Sequence, residues 1–389
     1  MAATGANDIV NSAMTSSTTS PLPDFRLEPV TFADLPGWQG DDPRPLFEGM
    51  RACLSHIRTV KPYRTGSLGQ TAADLAALFE KAGSTPDSAT AARTFFETHC
   101  RPHRIVRDGG RRGFVTAFFE PEIEVSDVKD ETFAYPFYAR PDDLIDLDDD
   151  NRPAALDSGY MFGRKTESGI TAYPDRGEID RGYLKGRGLE MAYARSKVDV
   201  FFVHVQGAAR LRYPDGRLRR ITYAAKAGHP FSPVGRLLID RGEIPAEKIS
   251  MQSIRDWLYG NPAKVDEILW HNRSYIFFRD ADVADPAMGP IAAAKVPLIA
   301  GRALAVDRQI HTFGYPFFIH SETLTHLDDG KPFSRLMLAL DTGSAIVGPA
   351  RGDIFTGSGY DAGELAGTVR NDADFYILLP NTRSVGEGS

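Results

Sequence analysis

This sequence predicts a mainly β protein with N-terminal helices, an α+β chain of two domains. Three observations carry that expectation. Residues 44–100 hold apolar side chains at helical spacing. The pattern switches at Gly113 to short apolar runs closed by Pro and Gly. From about residue 296 to 380 such runs recur between Gly, Pro and Asp turns, the spacing of a barrel or sandwich. A length of 389 residues suits two or three domains.

The elements follow in order. Residues 1–23 read as a loose tail of Ala, Thr, Ser and Asn, and 381–389 as a second tail. Residues 44–58 form a first helix. Thr71-Ala-Ala-Asp74 is a capping box ahead of Leu75, Leu78 and Phe79, and Gly83 ends that second helix. Residues 88–100 form a third. Gly113-Phe-Val-Thr-Ala-Phe-Phe-Glu120 reads as a buried strand, closed by Pro121. Residues 141–153 are an acidic loop; Asp146, Asp148 and Asp150 imitate the start of a calcium loop but lack its Gly and its final Glu, which favours a solvated loop. Residues 198–205 (Val-Asp-Val-Phe-Phe-Val-His-Val) read as a strand ending at Gln206-Gly207. Tyr213-Pro-Asp-Gly216 is a hairpin turn returning as Arg217–Tyr223. Residues 230–241 and 250–260 read as helices, Asn261-Pro262 opens another, and 274–278 is a strand. The β runs then follow at 298–299, 303–306, 315–319, 336–340, 353–355 and 375–379.

Composition excludes several functional classes. Lys+Arg 45 against Asp+Glu 52 gives a net charge of −7, which argues against bulk binding to nucleic acid. Two cysteines, Cys53 and Cys100, cannot build a disulfide framework or a four-thiolate zinc site; they either pair or stay as buried free thiols. The most apolar stretch, residues 289–306, is broken by Pro290, Lys295, Pro297 and Arg302, so no transmembrane helix is expected. Residues 1–20 lack a basic region and an apolar region, so no export signal is visible. On composition this is either a cytosolic protein with a loose tail or an exported one whose leader lies elsewhere. Phosphate-loop, His-Glu-x-x-His, Gly-x-Ser-x-Gly and Cys-x-x-Cys motifs are absent. His229, His311 and His320 lack metal-ligand spacing and read as structural.

What remains is carboxylates among glycines. Asp307, Asp341 and Asp353 each lie beside an apolar run and a glycine turn. Each alone is a turn aspartate bonding its own backbone. Together they are candidates for a carboxylate cluster, in which burial and like charge keep one group protonated as a general acid. Acid assistance to a glycosidic oxygen suits such a site. A second constellation joins aromatics to polar groups: Phe118, Phe119, Tyr160, Tyr173, Gln206, Tyr223, Trp257 and Trp270. Phe118, Trp257 and Trp270 fit a core better, whereas Gln206 before Gly207 is a candidate for binding sugar hydroxyls.

At these residues the sequence resembles the membrane-bound lytic transglycosylase A family of bacterial murein-degrading enzymes, across about residues 28–380. The segments are Gly113–Glu122, Gly186–Ala192, Val205-Gln-Gly207, Leu238–Ile244, Ser250–Arg255, Ser274–Phe278, Gly301–Asp307, Asp341–Ile346 and Gly357–Gly367. The C-terminal part resembles the 3D domain, named for three aspartates, here Asp307, Asp341 and Asp353. The resemblance implies a double-psi β-barrel domain from residues 24–127 and 277–380, with a smaller β-rich domain inserted at 128–276 and a groove between them. It implies an enzyme that cleaves the β-1,4 bond between N-acetylmuramic acid and N-acetylglucosamine and closes a 1,6-anhydro ring. Asp353 would be the acid and base, Asp341 its tuning neighbour, and Asp307 structural or charge-stabilising. Thr116, Phe119, Glu120, Gln206, Gly207 and Tyr223 would contact the glycan. No cofactor and no metal is implied. Murein glycan strands are the expected partner and a monomer the expected state. Periplasmic location, with outer-membrane association, would follow if the natural precursor carries an export signal.

The sequence departs from the family pattern at three places. Phe118 and Phe119 stand where Tyr is common, Ala208-Ala209 where Ser-Gly follows Gln-Gly, and Gly352 where His, Arg or Val is common. Two other readings stay open on the residues: a β-glycan hydrolase with Asp341 activating a water, and a glycan-binding protein without catalysis.

Overall fold

The computed structural model describes residues 25–157, 159–281 and 287–381; the first predicted tail, and the second apart from Asn381, lie outside these residues. The chain opens with β1 (Phe25–Pro29), then α1 (Leu46–Thr59), α2 (Ala72–Ala82) and α3 (Ala89–His99), then β2 (Cys100–Arg107) and β3 (Gly113–Glu120). Local chemistry sets the helix starts: the Thr71 hydroxyl accepts from Asp74 N–H and the Ser88 hydroxyl from Ala91 N–H, each at 3.1 Å. Gly83 stops α2 with φ 56°, a conformation a side chain rarely adopts.

After Pro121 the chain changes sheet. It runs through β4 (Glu122–Ser126), β5 (Tyr135–Tyr138), β6 (Leu144–Asp146), β7 (Phe162–Thr166) and β8 (Gly169–Thr171). The single helical turn α4 (Arg176–Glu178), β9 (Glu190–Ala194), α5 (Lys197–Gln206), β10 (Ala208–Arg212) and β11 (Leu218–Lys226) follow. Then come α6 (Val234–Asp240), α7 (Met251–Gly260), α8 (Val265–His271) and β12 (Ile276–Asp280). One sheet of this region has the order β12-β11-β10-β4-β9-β5 and a smaller one β6-β7-β8. The chain then returns as β13 (Ala303–Val306), β14 (Pro316–Ser321), β15 (Phe333–Asp341), β16 (Arg351–Ser358), α9 (Tyr360–Gly367) and β17 (Arg370–Pro380).

The terminal strands form a closed ring. The order β17-β14-β15-β13-β16-β3 ends where β3 pairs back onto β17, Thr116 opposite Arg370, and β2 and β1 extend the sheet beyond β17. Closure removes the edges a flat sheet would leave open. Leu304, Phe317, Leu336, Leu338, Ile354 and Phe375 fill the core of this domain, and α1–α3 pack onto it through Phe47, Met50, Leu75, Phe79 and Phe96. Cys53 and Cys100 are buried free thiols, and burial pushes the Cys53 thiol up to about 12.

The run 298–299 is not a strand, β6 forms inside the acidic loop 141–153, and two larger expectations are corrected. Residues 198–205 are not a strand but most of α5. Ser196 caps it by accepting from Val198 N–H, and Gly207 ends it with φ 78°. The helix is buried on almost every side, so its sequence shows a continuous apolar run that looks the same in either state. The partner of β11 is therefore β10. The second correction is α9, a helix inside the expected all-β region. It starts after Gly359 (φ 89°), and Gly363 allows it to lie on the Phe119 ring, where an added Cβ would come within 2.7 Å.

The eight-stranded sheet and the inserted six-stranded sheet meet at Glu120. Its carboxylate has no solvent exposure and takes Arg210 Nε at 2.8 Å and Arg220 Nε at 3.2 Å, both from the inserted region. The Ser358 hydroxyl of β16 donates to it at 2.6 Å. A buried ion pair adds little net stability, but removing one partner strands the others. Glu120→Ala should lower the unfolding free energy by about 3–5 kcal/mol, read as a shift in urea midpoint, while Glu120→Gln should lose less.

Candidate active site

Four neighbouring strands set out the site in a row. Ala305 of β13 pairs with Asp341 of β15 on one side and with Asp353 of β16 on the other, and Asp353 in turn pairs with Thr116 of β3. Lateral partners in a sheet point to the same face. At about 4.8 Å per strand spacing, Asp341 and Asp353 are two strand steps apart, with the small Ala305 as the floor between them. This row lines a cavity of about 300 Å³. Its opposite wall comes from the inserted region: Arg176, His204, Val205, Gln206, Phe231, Asn272 and Ser274.

Burial raises both carboxyls. Asp341 is pushed up to about 6, first by desolvation and then by the charge of Asp353, against backbone N–H donors including Ala293 (3.1 Å) and the more distant Lys295 charge. Asp353 is raised by the same desolvation, opposed by the Thr116 hydroxyl and the Arg351 charge. Those two opponents form a string: Arg351 Nη2 donates to the Thr116 hydroxyl at 2.8 Å, and that hydroxyl donates to Asp353. The charge of Asp353 adds to the proton affinity of Asp341, so the two carboxyls are linked electrostatically along the row. A carboxylic acid able to give a proton near neutrality, backed by a string that stabilises the anion left behind, is equipped for general acid and base work.

Two family models match the chain: the MltA specific insert domain over residues 114–279 and the 3D domain over residues 302–379. The solved membrane-bound lytic murein transglycosylase from Agrobacterium tumefaciens is 66% identical, covers 91% of this chain and 97% of its own, and superposes with a TM-score of 0.87. The chain belongs to the membrane-bound lytic murein transglycosylase A family. MltA from Neisseria gonorrhoeae is similar at 31% identity over 93% of this chain and 94% of its own, TM-score 0.75. E. coli MltA with bound chitohexaose is similar at 26% identity over 92% of this chain and 93% of its own, TM-score 0.62. The membrane-bound lytic murein transglycosylases A of Vibrio cholerae and E. coli K12 are each 33% identical over 68% of this chain. The chain spans 65% and 64% of the lengths of these two relatives.

Against this MltA framework the sequence-predicted residues divide. Asp341, Asp353, Thr116 and Gln206 line the cavity together. Gln206, on the last turn of α5, is fixed by accepting from Phe119 N–H at 3.1 Å. Gly207 caps α5, and its carbonyl accepts from Tyr223 N–H at 2.8 Å, which leaves the Tyr223 ring exposed on β11. Asp307 is placed elsewhere. Its carboxylate oxygens accept from Gln309 N–H (2.9 Å) and Gly348 N–H (2.8 Å), tying the turn after β13 to the loop before β16. Glu120 is consumed by the junction, and the Phe119 ring packs on α9. Phe118 is buried against Phe355 at 5.3 Å between ring centroids, where a tyrosine hydroxyl would need a partner. Gly352 faces the barrel interior, and a Cβ there would come within 2.8 Å of Leu304.

Sequence reasoning missed Arg351, Arg176, His204 and the loop 342–346, all of which line the cavity. Arg351 sits in an Arg-Gly-Asp tripeptide that carries no pattern of its own. Only the alternation along β16, which puts Arg351 and Asp353 on one face, could have flagged it.

The raised Asp341 carboxyl has a consequence for stability. A group that binds its proton more tightly in the folded state favours folding at low pH, and that contribution is lost as pH rises through the folded value. Stability should therefore fall by on the order of 1–3 kcal/mol between about pH 4 and 7 from this group. Urea titrations of wild type and Asp341→Asn across that window check it; the variant should show the flatter profile.

Proposed function

We propose that this protein is a murein lytic transglycosylase. It cleaves the β-1,4 bond between N-acetylmuramic acid and N-acetylglucosamine and leaves a 1,6-anhydromuramic end. Family membership supports the substrate class. The observation that carries the chemistry is the row Asp341–Ala305–Asp353–Thr116 at the floor of the groove. In this reading Asp353 gives its proton to the glycosidic oxygen as the bond to muramyl C1 breaks, with an oxocarbenium-like transition state. The Arg351–Thr116 string holds the resulting carboxylate. That carboxylate then takes the proton from the muramyl C6 hydroxyl as O6 attacks C1. The acid is regenerated and no water is consumed. Asp341 raises the proton affinity of the pair, and Asp307 acts through the loop it anchors. Gln206, with the exposed Tyr223 ring, contacts the sugars.

The wider reading goes with it. Parallel pairing of β13 with β15 and of β3 with β16 inside a closed six-strand ring supports the double-psi description. The expected division at 24–127, 128–276 and 277–380 moves at both boundaries in this reading, because β4 (Glu122–Ser126) and β12 (Ile276–Asp280) pair within the inserted sheet, and the protein works as a monomer on murein outside the inner membrane.

Digestion of purified murein tests this. The muropeptides released should be one water lighter than hydrolysed products in the mass spectrum; reducing-end products alone would exclude the reading. Asp353→Asn should abolish turnover and keep glycan binding. Thr116→Val removes a donor that favours the ionised form. It should cut turnover about tenfold and move the alkaline limb of the pH–rate profile upward by roughly half a unit to one unit.

A further inference from the structure

Two cations, one from each side of the groove, come together with no anion paired to either among the described residues. Lys226 comes from the insert. It pairs laterally with Ile276, and Ile276 lines the cavity. Lateral partners share a face, so the Lys226 side chain stands at the cavity rim. It is partly buried, and its ammonium is not sealed from solvent. Arg308 comes from the barrel. It is exposed, three residues past Ala305, the floor of the catalytic row. Burial disfavours the Lys226 charge, and the Arg308 charge disfavours it further, so the two lie within electrostatic reach. The same Arg308 charge reaches the exposed Tyr223 phenol on β11. The acidic groups nearby are already committed. Asp307, next to Arg308 in the chain, accepts from Gln309 and Gly348 N–H. Asp146, whose charge also reaches Tyr223, is held by Arg140 at 2.7 Å.

Like charges held close disfavour one another, and an anion between them reverses the sign. A carboxylate suits the place: it offers one oxygen to the point charge of a lysine and one to the fork of an arginine. The glycan backbone of murein is neutral. Its anions hang from the lactyl arm of the muramyl ring, either as the arm's own carboxylate or as those of the stem peptide it carries. We propose that Lys226 and Arg308 form a binding site for a carboxylate carried on the muramyl lactyl arm, beside the Tyr223 ring. The site is a specificity device. It lets the groove tell muramyl strands from uncharged polymers of N-acetylglucosamine, which offer the same rings and acetamido groups but no anion. This rests on the glycan reading of the groove above.

The test measures binding to the full chain carrying Asp353→Asn, with three hexasaccharides as probes. These are chitohexaose, a murein strand with its stem peptides, and the same strand stripped by an amidase, which leaves free lactyl carboxylates. Lys226→Gln and Arg308→Gln should each weaken binding of the stem-bearing strand by about three- to tenfold and leave chitohexaose within about twofold. Lys226→Arg, which keeps the charge, should recover most of the loss. The preference for muramyl strands over chitohexaose should shrink as salt rises from about 50 to 500 mM. Losses that persist on the stripped strand assign the anion to the lactyl carboxylate; losses confined to the stem-bearing strand assign it to the peptide. Equal losses on all three probes, or no loss on any, overturn the proposal, and anhydro-muropeptides released from murein by the wild type then spare the glycan reading. If none of the three binds, both fall.

Discussion

A carboxylate sealed from water holds the two halves of this molecule at a fixed spacing. Glu120 is the last residue of a barrel strand, one step before the proline at which the chain leaves for the inserted sheet. Its partners Arg210 and Arg220 come from that sheet and Ser358 from the barrel. Desolvating three charges is expensive, and geometry this constrained rarely serves stability alone. What it fixes is the distance between the row of acidic residues on the barrel and the α5 end on the insert. Those are the two walls of the groove.

Within that frame the chemistry follows from strand order. The ring places β13 between β15 and β16, so two aspartates from separate strands flank one alanine. Desolvation there raises both carboxyls, and mutual charge raises Asp341 further. The same burial that makes a proton available is unfavourable to the folded state at neutral pH. That trade between local stability and reactivity is common where ionisable groups do work. On the other wall, polar groups are fixed by their neighbours: Gln206 by the Phe119 backbone, His204 by Arg176 of the same wall.

Much of this was legible in the chain, for reasons that differ by element. Capping chemistry at Thr71 and Gly83, the apolar strand before Pro121 and the Tyr213–Gly216 turn are local, so they could be read directly. The strand β2 and the helix α5 could not. The first owes its state to pairing with β17 and β1, and the second to burial on most sides, which blurs helical periodicity. Site residues split in the same way. Asp341 and Asp353 stood out only as a cluster with Asp307 and through the family resemblance. Arg351 and His204 looked ordinary until the fold turned them toward the same space. Glu120 shows the converse: a residue beside a site motif whose role, once its neighbours are known, is to join domains.

The closing pair of the ring, β3 with β17, sets when the molecule can become reactive. Thr116 and Asp353 are 237 residues apart in sequence, and Thr116 also pairs with Arg370 near the end of the chain. Contacts of such separation form late, because loop closure must precede any gain from them. The inserted sheets, whose pairings are nearer neighbours, can assemble on a nascent chain before the barrel exists. A polypeptide still on the ribosome thus lacks the assembled row of Asp341, Asp353 and Thr116. Its reactivity switches on only once the final strand has been delivered.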